Sequence, residues 1–157
     1  MKDTQISFWD MAMLLNHEDE KVKKPKKNIR EQHQKQFAWF ELAAQSGDIG
    51  AVQSIANSYM LGYPIERDYE KAFLWASRGA DDGDTVCMYM AAYLYENGFG
   101  VEKDTDAAVL LYTQAAESGV MSAIMRLYEI YSVGTDDIPA DPKKAAHYLF
   151  LSGEGRD

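Results

Sequence analysis

Residues 83–119 read GDTVCMYMAAYLYENGFGVEKDTDAAVLLYTQAAESG, and the rest of the chain is variations on that stretch. Gly83-Asp84 stands 36 residues after Gly47-Asp48 and 36 before Gly119-Val120. Tyr95 stands at the same interval from Tyr59 and Tyr131, and Gly98 from Gly62 and Gly134. Asp104 and Ala108 follow Asp68 and Ala72 by 36 residues, and are followed by Asp141 and Ala145 after 37. A period of this size is the mark of stacked two-helix units. In such a stack each unit touches mainly its neighbours, and the whole presents a long curved surface. That favours binding over chemistry.

Helix signals fall in phase with the period. Asp84 is a good N-cap, residues 85–96 read as a helix, and Gly98 lies where a left-handed stop is wanted. After the loop 97–103, Asp104 caps a second helix over 105–118. Working back, the same reading predicts helices over 49–61 and 69–82, with Gly62 and Asp68 between them. Working forward, it predicts helices over 121–133 and 142–152, with a longer loop 134–140. Pro142 falls at the first helical position, where its missing N–H costs nothing. Lys35–Ser46 aligns with Lys71–Asp82 and sets Trp39 against Trp75, so a helix should start near Ile29. Its partner is expected over Thr4–Leu15, where Ile6, Trp9, Met13 and Leu14 recur at helical spacings. Between them lies an enlarged linker, Asn16–Asn28, with Lys21, Lys23, Lys24, Lys26 and Lys27. Such a run reads as a solvated loop, a contact with the acidic body, or a phosphate-binding segment. The expected organisation is one repeat domain with units at 1–47, 48–83, 84–119 and 120–153 and a tail at 154–157.

The repeat resembles the Sel-one-like repeat, a relative of the tetratricopeptide repeat, whose pattern runs A-x-x-x-L-G-x-x-Y-x-x-G-x-G-V-x-x-D-x-x-K-A-x-x-W-Y-x-x-A-A-x-x-G. The second unit carries Ala51, Ile55-Ala56, Tyr59, Gly62, Ile65, Asp68, Lys71-Ala72, Trp75 and Gly83. The third carries Ala91-Ala92, Tyr95, Gly98, Gly100-Val101, Asp104, Ala108, Ala115-Ala116 and Gly119. The fourth carries Ala123, Leu127, Tyr131, Gly134, Asp141, Lys144-Ala145 and Tyr148. Pro64 stands where the pattern has its second loop glycine, and Tyr128 where helix A has a small residue. The resemblance implies an all-α, right-handed solenoid of about four antiparallel helix pairs.

Composition agrees with a folded domain: 46% of the 157 residues are hydrophobic and 26% charged. The single cysteine, Cys87, excludes an internal disulfide, fits a reducing compartment and aligns with Ala51 and Ala123 as a small core residue. The N-terminus does not read as a signal peptide, and no apolar run is long enough for a membrane span, so a cytoplasmic location is expected. Net charge is −9, distributed as +2 over residues 1–35 and −11 over 36–157. The acidic body would repel nucleic acid and attract a basic partner, or simply keep the protein soluble.

No catalytic or cofactor chemistry is legible. His17, His33 and His147 have no metal-ligand spacing, the recurring glycines are helix stops, and no nucleophile–base pattern appears. Binding residues follow from the tetratricopeptide-like likeness, in which the first helix of each pair lines the concave face. That assigns Gln53, Asn57 and Met60 in the second unit, Tyr89, Tyr93 and Glu96 in the third, and Met125 and Glu129 in the fourth. Tyr89 and Tyr93 are i,i+4 neighbours that serve either as exposed contacts or as packing against the preceding unit. At the C-terminal end, Tyr148, Phe150 and Leu151 form a more apolar helix than its equivalents, where Phe150 aligns with Ser77 and Thr113. A partner or a second copy of the chain is expected there, giving a homodimer in the latter case. The leading reading is a non-catalytic module that binds another protein, in particular an antagonist or immunity protein that neutralises a cognate toxin. A signalling or assembly adaptor is the runner-up, and a hydrolase the reading from another class.

Overall fold

The computed structural model describes residues 27–154. The helix expected over Thr4–Leu15, the linker through residue 26 and the last three residues lie outside the described residues. The described part holds seven helices and no strand: α1 (Lys27–Gln45), α2 (Ile49–Leu61), α3 (Tyr69–Asp81), α4 (Thr85–Asn97), α5 (Thr105–Glu117), α6 (Met121–Val133) and α7 (Pro142–Ser152). Each packs mainly on the helix before and after it, which makes the chain an α-solenoid. α1 begins two residues ahead of its expected start, so the lysine-rich linker runs directly into a helix.

Local chemistry explains the boundaries. The carboxylates of Asp48, Asp68, Asp84, Asp104 and Asp141 each accept a backbone N–H of the helix they precede. Val120 replaces the aspartate before α6, which consequently has no side-chain cap. The aspartates before α3, α5 and α7 do a second job. The backbone N–H of Asp68 donates to the carbonyl of Tyr59 at 3.0 Å, that of Asp104 to Tyr95 at 3.0 Å, and that of Asp141 to Tyr131 at 2.8 Å. One periodic bond thus folds each loop back on its own first helix. The Lys-Ala of the pattern has a role as well: Lys71 lies over the Tyr59 ring at 5.4 Å, and Lys144 over Tyr131 at 4.8 Å.

The fourth loop departs from the others. Gly134 leaves α6 with φ 77° and ψ 175° instead of the left-handed geometry at Gly62 and Gly98. The extra residue is absorbed in a turn where Thr135 Oγ1 accepts the N–H of Ile138 at 3.0 Å. Asp137 at its tip reaches back to the third unit, accepting Thr105 Oγ1 at 2.7 Å and pairing with Lys103 at 3.4 Å.

Two apolar clusters fill the stack, and α4 divides them. Cys87, Met90, Ala91 and Leu94 face back to α1, α2 and α3, whereas Tyr89 and Ala92 face forward to α5, α6 and α7. Ala72, Ala76 and Gly79 form a buried small face on α3. A Cβ at Gly79 would lie 2.3 Å from Cys87 Sγ, so only glycine lets α3 and α4 come this close. Cys87 is fully buried, as its alignment with alanines predicts, and burial pushes its thiol far above the ordinary range.

Two comparisons test this account. Gly100 and Gly119 both have positive φ, 69° and 85°, but only at Gly100 would an added Cβ meet backbone, within 2.5 Å of Tyr69-Glu70. Gly119→Ala should therefore cost about 1 kcal/mol from its backbone geometry alone. Gly100→Ala should cost clearly more, on the order of 2–4 kcal/mol, because the approach of two units must open as well. Equal losses in chemical denaturation would refute the close contact. Asp84 caps α4 and also accepts Gln53 Nε2 at 2.8 Å, whereas Asp48 only caps α2. Asp48→Ala should cost about 1 kcal/mol and Asp84→Ala about 2 kcal/mol in the same measurement.

Candidate partner-binding face

α2 touches α4 directly across the stack. α2, α4 and α6 are the first helices of their pairs, the set that the tetratricopeptide-like likeness assigns to an inner face. Helical periodicity sets which of their side chains look outward from the core. Residues 57, 93 and 129 occupy one repeat position, and 53, 89 and 125 another, one turn earlier.

The eight inner-face residues expected from sequence separate into three kinds. Asn57, Tyr93 and Met125 are half-buried and Glu129 is exposed, so these four present surface. Met60 and Tyr89 do not. Met60 is buried in the first cluster, and Tyr89 is buried edge-to-face on Tyr112, with ring centres 5.2 Å apart. Tyr89 packs forward within its own unit, not on the preceding one, and burial pushes its hydroxyl up to about 12. These two assignments are corrected: both side chains belong to the core. Gln53 and Glu96 form the third kind. They reach the surface but are engaged by neighbouring units, Gln53 by Asp84 and Glu96 by Arg126.

The Glu96 cluster is the main polar feature of this face. Its carboxylate is 13% exposed. Arg126 of the next unit approaches it in a bidentate manner, with Nε 3.1 Å from Oε1 and 3.2 Å from Oε2 and Nη2 also on Oε1. The buried Tyr112 hydroxyl donates to Oε2 at 2.9 Å, and Arg126 Nη1 donates to Glu129 at 2.6 Å. Bonding to Glu96 holds the guanidinium above its ordinary range, and burial together with the Glu96 charge raises Tyr112 steeply. Arg126 was not among the expected site residues, yet its signal was present. Glu96 stands where the second unit has Met60, and Arg126 where the third has Met90. Opposite charges in two apolar slots of consecutive units imply each other.

Beside this cluster, aromatic side chains line the junction of the second and third units. Tyr69 stacks on Phe99 at 4.7 Å, Tyr93 meets Phe99 edge-on at 6.1 Å, and Arg67 lies over Tyr69 at 5.5 Å. Partial burial raises the Tyr93 hydroxyl above its ordinary range. Asn57 Oδ1 is a buried acceptor without a hydrogen-bond partner. At the C-terminal end Phe150 and Leu151 are exposed, while Tyr148 is half-buried and stacks on Tyr131 at 5.9 Å. No described helix is long and apolar enough to cross a membrane.

The Sel1 repeat matches the chain over residues 33–48, 55–84, 85–120 and 123–156. A protective antigen of uropathogenic Escherichia coli strains with an SLR fold superposes with a TM-score of 0.71 at 24% identity, covering 77% of this chain and 26% of its own. A Sel1 repeat protein from Oxalobacter formigenes superposes with a TM-score of 0.69 at 28% identity, covering 76% of this chain and 47% of its own. This chain thus spans between about a quarter and half of those structures. No curated protein matches the sequence. Sel1 repeats are in general protein–protein interaction modules and typically non-catalytic scaffolds. With repeat matches distributed across most of its length and the corresponding solenoid formed, this chain belongs to the Sel1 repeat family.

Proposed function

We propose that the chain binds another protein along its inner face and in doing so neutralises a toxin, without chemistry of its own. The observation that carries the binding site is the row Asn57, Tyr93 and Glu129: one repeat position on α2, α4 and α6 that keeps polar and aromatic surface. Tyrosine contributes large contact area for little lost rotamer freedom. The Glu96–Arg126 pair holds the row in place, because it fixes α6 against α4. The acidic body suits a basic partner. A helix end carrying Phe150 and Leu151 is assigned a secondary role, as a contact for the same partner or for a second copy of the chain.

Affinity capture from native cells with the wild type and with Tyr93→Ala/Glu129→Ala tests the site. The specific partner should be retained by the first and lost by the second. The captured protein is then expressed alone and together with this chain. Growth arrest relieved by co-expression supports neutralisation. A harmless partner overturns it and leaves the adaptor reading, which predicts a third component in the same complex.

Two outcomes are expected once the partner is in hand. Tyr93→Ala should weaken binding about tenfold, a loss of about 1.4 kcal/mol, with little change in melting temperature. Tyr89→Ala should do the reverse, costing roughly 3 kcal/mol of stability through the cavity left beside Tyr112. Calorimetric unfolding and a binding titration on both variants separate the two. Raising salt from low to physiological should slow association far more than it speeds dissociation. Salt-independent association in stopped-flow traces would reduce the net charge to a solubility feature.

A further inference from the structure

Leucine recurs with the period on the second helices as well. Leu74 of α3 and Leu110 of α5 stand 36 residues apart. Neither belongs to the core: they are 68% and 60% exposed. On the opposite side of the same helices Ala72, Ala76, Ala108 and Tyr112 are buried, so helical periodicity turns the two leucines outward. Ala38 and His147 hold the same repeat position on α1 and α7, so leucine occupies it on the two middle second helices.

Each leucine lies between two exposed polar residues, one helical turn away on either side: Glu70 and Arg78 on α3, Asp106 and Gln114 on α5. The order is the same on both helices, with an acid toward the N-terminus and a cation or amide toward the C-terminus. Arg78 is held in place, with Nη2 3.4 Å from the Gln45 carbonyl and the guanidinium 5.4 Å from the centre of the Trp75 ring. A guanidinium has five N–H donors, so these contacts leave others for a carboxylate.

We propose that α3 and α5 form a self-association surface, on which a second copy of this chain docks about a two-fold axis running across the helices. Two-fold pairing presents the same patch from both sides, so the patch must complement itself. With the axis parallel to the helices, acid meets acid: Glu70 faces Glu70 or Asp106 of the second copy. With the axis across them, each helix meets its own copy antiparallel. Leu74 then covers Leu74 and Leu110 covers Leu110. Glu70 faces Arg78, and Asp106 faces the Gln114 amide, each twice over. The charge order therefore selects both the occupant and its direction. A patch of this size supports a reversible dimer. Asn57, Tyr93 and Glu129 lie on other helices, so the inference stands apart from the partner site.

Sedimentation of the full chain over a range of concentrations tests it. The wild type should pass from monomer to dimer, and Leu74→Ser with Leu110→Ser should stay monomeric with its melting temperature kept. Glu70→Arg alone and Arg78→Glu alone should each raise the dissociation constant about tenfold or more. Combined, the two reversals should restore dimerisation. Residues 70 and 78 are about 12 Å apart along their own helix, so recovery reports a contact between copies. A wild type that stays monomeric up to millimolar concentration overturns the proposal and gives the leucines to a different partner. A dimer indifferent to the leucine changes but broken by Phe150→Ser with Leu151→Gln overturns it too, and moves the contact to the C-terminal helix. Failure of the combined reversal to recover the dimer overturns the antiparallel pairing.

Discussion

How closely consecutive helices approach is the constraint on which the rest of this solenoid depends. It is set by the small face of α3, where Ala72, Ala76 and Gly79 are buried between α2 and α4. At Gly79 there is no room for one further carbon, because Cys87 already fills the space. Close approach brings the Tyr69 backbone against Gly100 and so fixes the position of the third unit on the second. It also brings Gln53 within reach of Asp84, so that a helix cap becomes a joint between units. Larger residues would separate the helices and change the pitch, and with it every contact on the inner face.

The junction of the third and fourth units is made differently. Tyr112, a bulky residue, stands where α3 has Ala76, and its hydroxyl must be satisfied once buried. Glu96 satisfies it, and Arg126 then neutralises Glu96. Removing Arg126 would leave the largely buried Glu96 carboxylate without a counter-charge, which is costly, whereas Arg126 without Glu96 keeps Glu129 and contact with solvent. The polar joint therefore adds specificity of register more readily than raw stability. It also places Glu129 and Tyr93 as neighbours of a fixed guanidinium on the surface assigned to the partner.

These two joints explain why the inner face is selective in what it exposes. The same helical face carries a core residue at Met60, a tied carboxylate at Glu96 and an exposed serine at position 132. Repeat position alone does not decide availability. What decides it is which neighbour each unit happens to bring, and each neighbour differs because the units differ in size at a few slots.

The sequence by itself determined the solenoid. The 36-residue period, the aspartate caps, the glycine stops and the alignment of Cys87 with alanines are all local or strictly periodic, and such signals act through bonds spanning a few residues. Those signals placed α2, α6 and α7 at their observed bounds and α3 to within a residue. Only the tertiary structure decided the candidate site. It buried Met60 and Tyr89, engaged Gln53 and Glu96, and brought in Arg126 from the next unit. It also left Phe40 and Trp39 more exposed than their repeat equivalents. The reason is geometric: a helical pattern says which residues share a face, but the distance and angle between faces arise from how side chains of different units interlock, and no single unit contains that information.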